Sequence, residues 1–168
     1  MKLSLLMFLI FILSGPALSP AFSAGTSGED GGAFASDDPT YLQAVAAIKA
    51  EEFTTAAKLL RDVIDTNPDN IDAMSYLGYA NARLGRYVEA KAHYDRALAL
   101  QPGHRGANEY LGELYLRTGN VAAAGAQLSA LKSLCGMDCE EYKDLAAAIA
   151  HYRKTGHLPD HSHGKNEQ

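Results

Sequence analysis

The sequence predicts an all-α fold, a helical solenoid of three helix-turn-helix hairpins closed by one C-terminal capping helix. Three observations carry that expectation. The middle of the chain repeats itself at one fixed spacing, glycines and prolines punctuate the repeat at helix-length intervals, and one more amphipathic segment follows the last repeat. Pro68 and Pro102 are 34 apart, as are Leu77 and Leu111, Gly78 and Gly112, Arg83 and Arg117, and Gly85 and Gly119. Longer series take the register back to a first unit: Ala56, Ala90 and Ala124; Leu60, Tyr94 and Leu128; Val63, Ala97 and Leu131.

The first unit, residues 37–70, keeps Ala56, Leu60 and Pro68 in register but has Ala44 in place of the first glycine and Glu51 in place of the turn glycine. In the second, residues 71–104, a helix is expected from Ile71 to Leu84, stopped by Gly85, and another from Tyr87 to Leu100, ending before Pro102. The connection is short, so the two helices must be antiparallel neighbours. Gly78 and Ala90 supply small side chains where helices cross, and Tyr76, Leu77, Tyr94 and Leu98 fill the space around them. A glycine within a helix costs about 1 kcal/mol against alanine, so close approach is the physical reason for Gly78. A large residue at Gly112 or Ala90 is expected to push its helix pair apart. The third unit spans residues 105–138, and a capping helix follows at 139–154. Asp138 is its expected N-cap, with Glu141 reaching back in a capping box and Tyr142, Leu145, Ile149 and Tyr152 on one face.

Leu77-Gly78, Gly85, Tyr87, Ala90, Tyr94, Ala97 and Pro102, and in the next unit Leu111-Gly112, Tyr115, Gly119, Ala124, Leu128 and Leu131, resemble the signature of the tetratricopeptide repeat (TPR). The tryptophan of that signature is absent, with Met74 and Asn108 in its place. The resemblance implies a right-handed superhelix whose concave surface, lined by the first helix of each pair, holds extended or helical peptide segments. Carried over position by position, that surface would present Tyr41, Val45, Ile48 and Lys49; Ser75, Tyr79, Ala82 and Arg83; Glu109, Glu113, Leu116 and Arg117. Lys49, Arg83 and Arg117 then form a ladder of cations. Two readings of it stand together: a grip on acidic side chains or a terminal carboxylate, with Tyr41 and Tyr79 giving apolar contact, and a complement to the dipole at each helix C-terminus. The lysine and asparagine set by which chaperone-binding members clamp a carboxylate tail is not reproduced. Leu134-Cys135 with Cys139-Glu140-Glu141-Tyr142 and Leu145 resembles the end of small TPR proteins of the bacterial envelope.

The ends of the chain read differently. Lys2 precedes an apolar run from Leu3 to Leu13 that holds one polar residue, Ser4, and is ended by Ser14, Gly15 and Pro16. That is a signal-peptide core, shorter than the roughly 20 residues of a spanning helix. Ala21-Phe22-Ser23 suggests cleavage after Ser23, with Ala24 as the next choice, leaving 168 − 23 = 145 residues. No cysteine stands near for a lipid anchor. The expected location is therefore the bacterial periplasm, with secretion as the second choice and no stable membrane insertion after cleavage. Residues 24–36 read as a flexible leader and 155–168 as a disordered tail.

The formal charge of −5 without a lysine- or arginine-rich run argues against nucleic acid or an anionic membrane as partner. No glycine-rich phosphate loop, serine elbow or paired helical histidine motif is present. Glu51-Glu52 and Glu140-Glu141 read as exposed helix-start charges, so neither an enzyme nor a cofactor is expected. The partner is expected to be a protein or peptide, with self-association through the first unit as a further expectation. Cys135 and Cys139, in Cys-Gly-Met-Asp-Cys, can meet across a tight turn in an oxidising compartment and pin the cap. The competing reading is a thiol-redox or metal-handling envelope protein. It rests on Cys139 at a helix start, where a thiolate is favoured, and on His157, His161 and His163, with His151, as metal ligands.

Overall fold

The computed structural model describes residues 38–159. The expected signal peptide and leader, and the tail histidines His161 and His163, lie outside them. Seven helices follow one another: α1 (Pro39–Lys49), α2 (Phe53–Thr66), α3 (Ile71–Arg83), α4 (Tyr87–Leu100), α5 (Arg105–Arg117), α6 (Val121–Cys135) and α7 (Glu140–Thr155). There is no strand among the described residues.

Local chemistry explains where the helices begin and end. Asp38 accepts the Thr40 N–H at 2.8 Å, with Pro39 at the first helical position, and Asn70 accepts the Ala73 N–H at 2.9 Å. His104 Nδ1 does the same for Ala107 at 2.9 Å, and Asn120 for Ala123 at 3.1 Å. The three hairpin turns share one design. Glu51, Gly85 and Gly119 are left-handed, with φ of 59°, 75° and 80°. Their N–H groups bond to the carbonyls of Ile48, Ala82 and Leu116, and the next N–H, of Glu52, Arg86 and Asn120, bonds to Ala47, Asn81 and Tyr115. This is the paired-bond closure that satisfies the last carbonyls of a helix.

The helices form two layers. Consecutive odd-numbered helices touch, α1 with α3, α3 with α5 and α5 with α7, whereas α2, α4 and α6 pack only on the odd helices around them. The odd-numbered helices therefore make one continuous layer and the even-numbered helices the other. Small residues set the spacing: Ala44, Ala56, Ala73, Ala90, Ala107 and Ala124 are all fully buried. A Cβ at Gly78 would lie 2.5 Å from the Tyr94 ring, so that hairpin closes on glycine as expected. At Gly112 the neighbour differs. An added Cβ there would meet Leu145 of α7 at 2.5 Å, because Leu145 fills the place that an aromatic ring takes in the second unit.

Two further expectations are modified. Asp138 does not cap α7; the N-cap is Cys139, in extended conformation and without a side-chain cap bond. The Cα atoms of Cys135 and Cys139 are 5.9 Å apart, and this short link delivers the chain into the helix one residue later. Glu141 pairs with Arg105 Nε of α5 at 3.4 Å rather than reaching back to the cap. The missing tryptophan is compensated differently in two units. Met74 is fully buried with Ala97 and Ala107, beside Ile64, Ile71 and Leu98. Asn108 Nδ2 instead donates to the carbonyls of Pro102 and His104 at 3.1 and 2.9 Å, which removes the cost of burying its amide.

Candidate binding surface

The residues that the resemblance assigns to a concave surface lie on α1, α3 and α5, the helices of the odd-numbered layer. Tyr41, Ile48, Ser75, Tyr79, Ala82, Glu109, Glu113 and Leu116 are buried, Val45 and Arg83 are half-buried, and Lys49 and Arg117 are exposed. Lys49 and Arg117 are thus the most accessible members of the set. Each of the three ends its helix: Lys49 is the last residue of α1, Arg83 of α3 and Arg117 of α5.

Tyr79, Phe53 and Glu51 all bear on Arg83. Its Nη1 donates to the Tyr79 hydroxyl at 2.8 Å, its guanidinium carbon sits 4.4 Å above the Phe53 ring, and Nη2 lies 4.0 Å from Glu51 Oε2. A stacked, hydrogen-bonded guanidinium has lost most of its rotamer freedom before any ligand arrives. Burial pushes the Tyr79 hydroxyl up, and Arg83 beside it pulls partly back.

An aromatic seam runs beneath this surface. Tyr76 stands 6.2 Å from Tyr41 and 6.4 Å from Tyr110, and Tyr110 is 5.0 Å from Tyr79 and 6.4 Å from Tyr94. Phe53 joins it through Tyr79 at 6.0 Å. Sequence reasoning assigned no role to Tyr110 or Phe53; the signal for Tyr110 was its place one full repeat beyond Tyr76. Burial holds the hydroxyls of Tyr94 and Tyr110 well above the usual tyrosine range, so the seam is neutral. Glu109 is the unusual member of the surface. Burial first, then the carboxylates of Glu113, Asp144, Glu141 and Glu140, push its carboxyl up to about 9, and it is an uncharged acid at neutral pH.

The sulfurs of Cys135 and Cys139 are 2.08 Å apart, a disulfide distance. With Glu141 they make the one grouping of three metal-ligating residues among the described residues, within 4.8 Å of one another. The thiolate is the metal ligand, so a disulfide and a metal exclude each other there. The His151 and His157 rings are 5.5 Å apart at the end of α7. Among the described residues no helix is long and apolar enough to cross a membrane.

Two models of the tetratricopeptide repeat match the chain, over residues 41–104 and 81–149, and the protein belongs to that family. The second match reaches into α7. No curated protein matches the chain. Tetratricopeptide repeats generally mediate protein–protein contacts and typically belong to non-enzymatic scaffolds.

Proposed function

We propose that this protein is a protein- or peptide-binding scaffold of the cell envelope, which holds an extended segment carrying acidic side chains or a terminal carboxylate along α1, α3 and α5. The observation that carries the reading is Arg83, a guanidinium braced by Phe53 and Tyr79 midway between two exposed cations. A braced cation binds a carboxylate at lower entropic cost than a free one. Lys49 and Arg117, one unit to either side, extend the grip along a chain. The experiment is cross-linked co-purification from the envelope, with the native chain compared to Lys49→Glu, Arg83→Glu, Arg117→Glu. Loss of a specific companion from the altered chain supports the groove; the same companions from both chains remove it.

Placement in the envelope is supported by the Leu3–Leu13 run and the Ala21-Phe22-Ser23 site, and we read Cys135 and Cys139 as a structural disulfide that pins α7. Closing so small a loop contributes about 2 kcal/mol. Protein from its native compartment should resist thiol labelling until reduced. A pair that labels at once, or that cycles under mild oxidant, would favour the redox alternative.

A further inference from the structure

The starts of α3 and α5 are built alike but for one residue type. Asn70 caps α3 by accepting the Ala73 N–H, and His104, one repeat later, caps α5 by accepting the Ala107 N–H on Nδ1. An amide oxygen accepts at any pH. An imidazole nitrogen accepts only while it is unprotonated. Because Nδ1 is the acceptor, the neutral ring carries its proton on Nε2, and Nε2 faces Asp72 Oδ1 of α3 at 2.8 Å. One side chain therefore starts the third hairpin and ties it to the second. The imidazole side chain is 15% exposed and the Asp72 carboxylate 29%, so water reaches both.

The charged and titratable groups around this joint come from several helices. Asp72 of α3 bears directly on the ring and acts also on the hydroxyls of Tyr41 and Tyr76. On α5, Arg105 follows His104 and is turned away to Glu141 of α7 at 3.4 Å, and the Tyr110 ring edge approaches Gly106 beside the His104 ring. Glu109, uncharged at neutral pH, lies one turn further along α5.

We propose that His104 makes the joint between the second and third hairpins pH-responsive. When Nδ1 takes a proton, the acceptor of the Ala107 N–H becomes a donor facing it, and the first turn of α5 opens. The Nε2 contact to Asp72 becomes an ion pair and persists, so the hairpins stay linked while the third one loosens at its start. The inference does not depend on what the groove binds.

The test is NMR on the full chain between pH 8 and pH 5.5. Imidazole nitrogen shifts of His104 at pH 8 should show a protonated Nε2 and a bare Nδ1. The protection of the Ala107 amide against exchange, taken relative to Ala73 under the non-titrating Asn70 cap, should fall about threefold or more by pH 5.5, the size expected for a lost N-cap bond. In His104→Asn the same ratio should be flat with pH. A bare Nε2 at pH 8, a ratio that does not move in the native chain, or an equal fall in the asparagine variant overturns the proposal. The first two readings need no variant, so a failure of His104→Asn to fold leaves the proposal open to refutation.

Discussion

At the scale of single residues, burial decides behaviour that residue type alone does not. Glu109 has its carboxyl raised to about 9 in the folded chain, above its ordinary value of 4.5. A raised acid contributes its full stability below its unfolded pKa and loses it as pH climbs through the folded one. Stability should therefore decline between about pH 4.5 and pH 9 by this residue's contribution. Glu109→Gln, neutral throughout, should gain on the native chain by on the order of 2–4 kcal/mol between pH 5 and pH 8 in urea melts. An equal difference at both pH values would contradict the assignment. Close approach makes a second residue-scale prediction. Gly78→Ala should cost about 1–2 kcal/mol, because its Cβ would strike the fully buried Tyr94 ring. Gly112→Ala should cost less, since the Leu145 side chain that its Cβ would meet can shift by rotation about its single bonds more readily than a rigid ring. Thermal melts of the two variants give the order.

At the scale of elements, the hairpin turns were legible because their chemistry is local. Gly85 and Gly119 sit where a left-handed residue closes each helix, and the third such place is held by Glu51. A side chain there costs about 1 kcal/mol or more, and the 4.0 Å contact with Arg83, between groups near the surface, returns only a fraction of it. Glu51→Gly should stabilise the protein by about 0.5–1 kcal/mol and Gly85→Ala should destabilise it by about 1 kcal/mol, measured by chemical denaturation. The start of α7 was less legible. Asp138 and Glu141 have the right spacing for a capping box, but the Cys135–Cys139 link and the pull of Arg105 on Glu141 set the helix start elsewhere. A spacing rule describes one segment, and here another helix competes for the same carboxylate.

At the scale of the whole molecule, α7 takes the place of the first helix of a fourth unit. Leu145 stands one repeat beyond Leu111 and is fully buried, packing with Leu116, Ala124 and Leu131. A stack of three hairpins needs that closure, because each unit buries its apolar face only against a neighbour. Leu145→Ala should cost about 3 kcal/mol, as a fully buried leucine does. Val88, 82% exposed, should tolerate alanine within about 0.5 kcal/mol. Equal losses at the two sites, read from urea midpoints, would mean that α7 is not part of the packed stack.

The repeat register, the helix lengths, the turn positions and the small-residue seams were determined by the sequence alone, since each depends on residues within a turn or a hairpin of one another. Only the tertiary structure decided that Leu145 meets Gly112, that Phe53 and Tyr79 brace Arg83, that Glu109 is buried among carboxylates, and that His104 reaches Asp72. These contacts join residues of different helices, often from different units. Periodicity places such residues on a face, but how closely the helices pack, and at what offset, decides which side chains meet.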